Sequence, residues 1–331
     1  RPDLSKIGVF CQAQEIKPNT NSFNIAIVDT GVDTLAGSNN PLNNYGWAKY
    51  HNTTRCISNP SKFGLNILNT QREPSDMLGH GTSVNGVFTG ESYPNYTDNS
   101  LNFKFLNVNI FRQVDTTSTL FDGLCGINYA VHQEAKIVNI SWGFEFNPDG
   151  PDQDILNNSI EAAIKKVLNA APGTLFIAAL GNDNRFVSHD HRFYPACLAE
   201  SDSNLMAIGS LSYNNQDIAG FSNYADTNIM TFCTQGENIF AAFPSYLASG
   251  NNERLVSGTS YAAPLAARVS ASFWIRNPDS SAAAVKNHFL KNLSTSPMSS
   301  TSKGNLHYRA LTLQQIEGLI CTPPKPIKSG N

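Results

Sequence analysis

The amino-acid sequence predicts an α/β protein with a mostly parallel central sheet and helices on both faces. Two observations carry that expectation. Short apolar runs ending in Gly or Asn alternate along the chain with longer segments of helical spacing. Strands that alternate with helices imply crossover connections, and hence a parallel sheet covered on both sides. The chain is also long enough to bury a large core: 331 residues, of which 40% are hydrophobic and 15% charged.

In chain order, "FNIAIV" (23–28) reads as a buried strand running into "DTG". "GTSVNGVFTG" (81–90) reads as a short helix led by His80, and "FKFLNVNIF" (103–111) as a strand. "TLFDGLCGINYAVHQEA" (119–135) has helical spacing, "KIVNISWG" (136–143) is a strand, and "SIEAAIKKVLNA" (159–170) is a helix. "TLFIAAL" (174–180) and "NLMAIGSL" (204–211) are strands; residues 259–275 and "SAAAVKNHFLKNL" (281–293) are helices. Residues 30–78 are long and irregular, rich in Asn, Pro and Gly. No internal repeat and no linker divides the chain. The expected organisation is an N-terminal segment (1–22), one domain (23–320) and a loose tail (321–331), "CTPPKPIKSGN".

Composition excludes several classes of function. Lys and Arg number 23 against 26 Asp and Glu, a formal charge of −3, so no footprint for nucleic acid or an anionic membrane is present. No run of 18 apolar residues occurs, so no membrane span is expected. The start, "RPDLSKIGVFCQAQE", lacks the apolar core of a signal peptide. Cys11, Cys56, Cys125, Cys197, Cys233 and Cys321 are scattered without a C-x-x-C pair, which disfavours a zinc cluster and leaves 15 pairings open. Cys125, in an apolar helical pattern, reads as a buried thiol. Sequons at Asn52, Asn95, Asn139, Asn157 and Asn292 are expected by chance in so Asn-rich a chain.

Three segments carry candidate chemistry. In "IVDTG", Asp29 ends an apolar strand, where an Asp is also an ordinary turn residue; Asp33 reads as a loop anchor. In "GHGTSVNG", His80 lies between glycines that permit close approach of backbone or substrate. The other histidines lack such a frame, with His189 and His191 a minor surface metal alternative. In "VSGTSYAAPLAA", Ser260 begins a helix, where it is either a capping serine or a hydroxyl set in the positive end of the helix dipole. Pro264 falls near the first turn, where a missing N–H costs least. An acid, a base and a hydroxyl, each at an element end, suffice for nucleophilic catalysis if they meet. The base removes the hydroxyl proton, and the acid fixes the tautomer of the base.

The order Asp, His, Ser is that of subtilisin, whereas α/β-hydrolases run Ser, acid, His. "IVDTGVD", "GHGTSVNG" and "SGTSYAAP" together resemble the three catalytic signatures of the subtilisin-like serine proteases, the subtilases. "KIVNISWG", "IAALGNDN", "YPAC…LMAIGSL" and "AGFSNYA" are similar to further family stretches, so the resemblance covers roughly residues 23–295. It implies the subtilisin-like three-layer fold and a secreted or extracytoplasmic endopeptidase. Asp29, His80 and Ser260 would be catalytic, and Asn182 with the Ser260 N–H would form the oxyanion hole. Ser141, Trp142, Gly143, Ala179 and Gly181 would bind substrate; small residues there would leave room for a side chain. Residues 113–119 would flank the bound peptide on its other side. Implied partners are a protein or peptide substrate and the chain's own propeptide as inhibitor. The chemistry requires no cofactor.

The chain departs from the family pattern in places. The 51 residues from Asp29 to His80 exceed the compact spacing, which puts an insertion within 30–78. The family's calcium-loop pattern is not recognisable in "ESYPNYTDNS" (91–100), so metal ligands are left unassigned. "SWG" resembles the kexin branch, and Glu145, Asp149, Asp152 and Asp154 follow it. They read as a solvated acidic loop, with a preference for basic substrates as the alternative. A catalytically silent binding module and a peptide ligase on the same fold remain the rival functions.

Overall fold

The computed structural model describes residues 23–33, 46–47, 63–70, 72–89, 103–146, 153–247, 253–298, 306–312 and 315. The expected N-terminal segment and loose tail lie outside them, as do Cys11, Cys56, Cys321, Asn52, Asn95, Asp149, Asp152 and residues 91–100.

Fourteen strands and five α-helices follow one another along the described chain: β1 (Phe23–Asp29), β2 (Gly46–Trp47), β3 (Gly64–Asn66), α1 (His80–Thr89), β4 (Phe103–Asn109), α2 (Leu120–His132), β5 (Ile137–Ile140), β6 (Phe144–Glu145), α3 (Gln153–Asn169), β7 (Leu175–Ala179), β8 (Phe193–Tyr194), β9 (Leu205–Leu211), β10 (Met230–Gln235), β11 (Ile239–Ala242), β12 (Glu253–Val256), α4 (Thr259–Arg276), α5 (Ala282–Asn292), β13 (Thr295–Pro297) and β14 (His307–Leu311). Ten strands form one sheet in the order β13-β14-β10-β9-β7-β5-β1-β4-β2, with β3 also on β4. Every pairing in it is parallel except β13 with β14.

Period-two alternation divides the core between the two faces of the sheet. Ile25 and Ile27 of β1 join Val84, Val87 and Phe88 of α1, the buried face of α4 and Phe289 of α5. Their neighbours Ala26 and Val28 join Ile127 of α2 and Ile164 and Leu168 of α3. The helices thus lie on both faces, α1, α4 and α5 on one and α2 and α3 on the other, as the sequence predicts. Most of α4 is buried, Thr259 and Ala262–Trp274, because it crosses the middle of the sheet.

The differences from expectation are local. Helix α3 starts at Gln153 rather than 159, since its first turns expose Ile155 and Leu156 and hide no apolar stripe. Strand β5 stops at Ile140, and Ser141–Gly143 leave the ladder to meet α4. The strands after residue 229 carry no clear sequence signal: "MTFCTQ" mixes Thr and Gln into a fully buried strand, β10. Cys125 is half-buried rather than buried, because the inward stripe of α2 is Gly123, Gly126, Ile127 and Ala130. Cys125 and Cys197 are free thiols, and Cys233 Sγ lies 3.4 Å from Met230 Sδ. Asn139 and Asn157 are buried, which removes their sequons from the surface.

Candidate active site

The candidate residues collect at the carboxyl ends of β1, β5 and β7, the edge where parallel sheets place ligands. Asp29 ends β1 and is 1% exposed. Its Oδ1 lies 2.7 Å from His80 Nδ1. His80 opens α1, and the start of that helix is held by a second acid that the sequence reading did not single out. Asp76 is fully buried and accepts N–H bonds from Leu78, Gly79 and Thr82 at 2.7–3.0 Å. The Thr82 N–H is an orphan donor of the first turn of α1, which a carboxylate satisfies well, and those of Leu78 and Gly79 belong to the turn leading into it. The Thr30 hydroxyl donates to Asp76 at 2.8 Å and accepts from the Gly81 N–H at 2.8 Å. One short network therefore fixes β1, Asp29 and the His80 turn together. Its signal in the sequence is an Asp four residues before the His, in the turn that leads into the helix. Asp33 is a loop anchor as expected: it accepts the N–H and the hydroxyl of Ser245 at 3.0 and 2.9 Å.

The glycines flanking His80 are there for close packing. Gly79 has φ +86°, and a Cβ on it would lie 2.2 Å from the Phe243 ring; one on Gly81 would meet the Gly31 carbonyl at 2.2 Å. The imidazole keeps 32% of its surface exposed on the cleft side. Burial pulls its pKa down, but the charge and hydrogen bond of Asp29, with Asp76 behind, push harder, and the net value is raised above the ordinary histidine range.

Ser260 is the second residue of α4 and is not its cap. The next turn explains its setting. Pro264 has no N–H to give to the carbonyl four residues earlier, which is that of Ser260. That carbonyl instead accepts the Ser141 hydroxyl at 2.7 Å, while Ser260 Oγ donates to the Ser141 carbonyl at 2.8 Å. Pro264 therefore sits past the first turn, and its missing bond is taken up across the site. Asn139 in turn donates to Ser141 Oγ at 2.8 Å.

Asn182 lies just beyond β7, after Gly181 at φ +105°. Its side-chain oxygen accepts the N–H and the hydroxyl of Thr259 at 2.8 and 2.9 Å, capping α4. Asn182 is exposed, and its amide nitrogen lies near Gly258, where a Cβ would come within 3.5 Å of it. The loop is braced by buried Asn223, which accepts from Asp183 N–H and Arg185 N–H at 2.9 and 3.0 Å and donates to the Leu180 carbonyl at 3.1 Å. The sequence reading quoted Asn223 within "AGFSNYA" without giving it a role.

The expected substrate-binding residues divide. Ser141, Ala179 and Gly181 are buried at the ends of β5 and β7, and Gly143 is half-buried just beyond β5. The Trp142 indole points the other way: Nε1 donates to the Val28 carbonyl at 3.0 Å, and the ring packs on Gly123 and the α2 side of the core. The room expected beside the glycines is taken by Phe193 of β8. A Cβ on Gly143 would lie 2.3 Å from Phe193 Cε1, and one on Gly181 3.0 Å from Cε2 and Cζ.

The acidic residues after "SWG" are partly neutralised, since Glu145 pairs with Arg185 at 2.6 Å, while Asp154 is exposed in the first turn of α3. His189 faces the Arg192 guanidinium, 3.1 Å from its Nε2, a poor setting for a cation. Among the described residues, no three His, Cys, Asp or Glu side chains gather as a metal site, and no helix is long and apolar enough to cross a membrane.

The chain is similar to proteins of known kind. It is 28% identical over 266 residues to the cell wall-associated protease of Bacillus subtilis, covering 79% of this chain and 24% of that one. It is 25% identical over 265 residues to a thermophilic serine proteinase of a Bacillus species, covering 78% of this chain and 54% of that one. The chain thus spans about a quarter to a half of the length of these relatives. Among solved structures, one described as a cold adapted subtilisin-like serine proteinase superposes with a TM-score of 0.62 at 20% identity, covering 92% of this chain and 97% of that one. The model of the subtilase family matches residues 20–307, a span that holds Asp29, His80, Asn182 and Ser260, and the chain belongs to that family.

Proposed function

We propose that the chain is a serine endopeptidase that hydrolyses peptide bonds through an acyl-enzyme, with residues 23–320 as its catalytic domain. One observation carries the reading: the 2.7 Å contact of His80 Nδ1 with buried Asp29. It holds the ring proton on Nδ1 and leaves the Nε2 lone pair as the base. Attack requires Ser260 Oγ to leave the Ser141 carbonyl for His80, a rotation about one side-chain bond. Oγ bonds to the substrate carbonyl carbon as its proton passes to Nε2. The same proton then goes to the departing amine as the C–N bond breaks. Water repeats the sequence on the ester and frees the acid. The charged oxygen of each tetrahedral intermediate is met by the Asn182 NH2 and the Ser260 N–H, an otherwise orphan first-turn amide.

A peptide would add as an extended strand beside residues 141–143, with 113–119 on its other side, and the chain's own propeptide would inhibit by the same route. The Bacillus subtilis relative is a cell wall-associated protease, which fits an extracytoplasmic place of action for this chain.

The test is covalent labelling with a fluorophosphonate probe alongside hydrolysis of a peptide library. The unchanged protein should be labelled on Ser260 and should cleave. Ser260→Ala should lose labelling and about 10⁴-fold or more of the rate. Turnover by Ser260→Ala at a tenth of the original rate would sink the assignment.

A further inference from the structure

We propose that Phe193 forms a raised floor in the pocket for the side chain that precedes the scissile bond. It restricts the enzyme to peptides with Gly, Ala or Ser at that position. The inference rests on the acyl-transfer reading above and deepens it. A substrate carbonyl placed on Ser260 Oγ, with its oxygen at the Asn182 NH2, directs the adjoining side chain into the gap between two strand ends. Those ends are residues 141–143, continuing β5, and residues 179–182, continuing β7, which are neighbours in the sheet. Small residues on both walls would ordinarily make this gap deep. Here the edge of one phenyl ring spans it: Cε1 would lie 2.3 Å from a Cβ on Gly143 on one wall, and Cε2 and Cζ 3.0 Å from a Cβ on Gly181 on the other.

The ring is not free to drop away. Phe193 pairs with Glu145 in the short β6–β8 ladder, and its neighbour Tyr194 is fully buried, with its ring 5.6 Å from that of Phe144. Tyr194 also accepts a hydrogen bond from buried Arg192 at 3.1 Å. The residues on both sides of Phe193 are therefore anchored in the α3 side of the core, and the ring is delivered into the cleft by a fixed strand. The Arg185–Glu145 pair lies beside this ladder, so no unpaired Glu145 carboxylate is left to draw Lys or Arg into the pocket.

The experiment compares kcat/KM for peptides identical except for Gly, Ala, Leu, Phe or Lys before the scissile bond. The unchanged protein, Phe193→Ala and Phe193→Leu are assayed, with probe labelling of Ser260 in each. For the unchanged protein, Ala should exceed Leu and Phe by on the order of a hundredfold, since single methylenes already weigh about 10–200-fold in such pockets. Phe193→Ala should raise the Leu-to-Ala and Phe-to-Ala ratios by a similar factor, and Phe193→Leu by less. These ratios are insensitive to a general loss of active protein. If Phe193→Ala does not fold, the profile of the unchanged protein and of Phe193→Leu decides. Cleavage after Leu or Phe as fast as after Ala overturns the pocket proposal and leaves the peptidase reading standing. An unchanged protein that cleaves none of the peptides and takes no label overturns both.

Discussion

Asn182 is held by its oxygen, so its NH2 is the part left to act. Thr259 supplies both donors to that oxygen, and a leucine of similar size would lose the cap on α4 as well as the donor. The donor matters only when negative charge has formed on the substrate, so it should appear in kcat and leave KM nearly unchanged. If Asn182 holds the oxyanion as proposed, Asn182→Leu should lose about 10²–10³-fold in kcat, the range for removing one oxyanion-hole donor. A rise in KM at constant kcat would instead make Asn182 a ground-state contact. His80 gives a pH prediction with a definite sign. Its pKa is raised, so the charged Asp29–His80 pair stabilises the fold below the unfolded value of about 6.5 and that contribution is lost as pH rises through the folded value. The base is competent only above the same ionisation. The acid limb of kcat/KM should therefore lie above pH 6.5. In Asp29→Asn the charge and strong hydrogen bond go while the lowering effect of burial remains, so the limb of the residual activity should move downward. A limb that stays in place would disconnect Asp29 from the base. At this scale Asp29, His80, Ser260 and Asn182 were singled out as candidates because each sits in a short motif with glycine nearby. Asp76 and Asn223 were not, since a buried capping carboxylate and a bracing carboxamide look like ordinary loop residues until their partners are known.

Among the elements, α2 shows how tightly the helices must lie on the sheet to set the site. It opens with a capping box at Thr119 and Asp122, and its inward face is small. A Cβ on Gly126 would come 2.6 Å from Ile110 Cγ2 and 3.0 Å from Val28 Cγ1. Val28 precedes Asp29, so overpacking here presses on the strand that carries the acid. Gly126→Ala is expected to cost about 1–3 kcal/mol of stability, less the small gain in helix propensity. Denaturant unfolding measures it, and an unchanged midpoint would mean that α2 can move outward. Helix α4 was legible from its alanine-rich run and α1 from its Gly-His-Gly frame, β1 and β7 from continuous apolar runs. The β10–β14 region was not, because its strands are short or polar and earn their place by pairing, which no local pattern records. Glu253–Val256, half of the β11–β12 hairpin, is mostly exposed and reads as loop.

For the molecule as a whole, the sheet separates two cores, and a buried cation ties the periphery to one of them. Lys286 of α5 is 6% exposed and donates to the carbonyls of Ala199 and Asp202. Burial lowers its pKa to about 8, against the opposing pull of Asp202. Between that value and the unfolded one of about 10.4 the unfolded chain binds more protons, so this group makes the fold more stable as pH rises through the window. Unfolding midpoints at pH 7.5, 8.5 and 9.5 should climb more steeply for the unchanged protein than for Lys286→Met. Equal slopes would place the proton elsewhere. By itself the sequence determined the layered α/β class and the order of the central elements, and it singled out Asp29, His80, Ser260 and Asn182 as candidates. Those depend on periodicity and on short motifs, which are local. The tertiary structure alone decided three other things. It joined Ser141 to Ser260 across 119 residues, because Pro264 frees a carbonyl that only a neighbouring strand end can reach. It turned the Trp142 indole away from the cleft, because alternate residues leaving β5 face opposite sides. It set Phe193 between Gly143 and Gly181, because whether a small residue lines a pocket or makes way for a ring depends on what a distant strand carries to it.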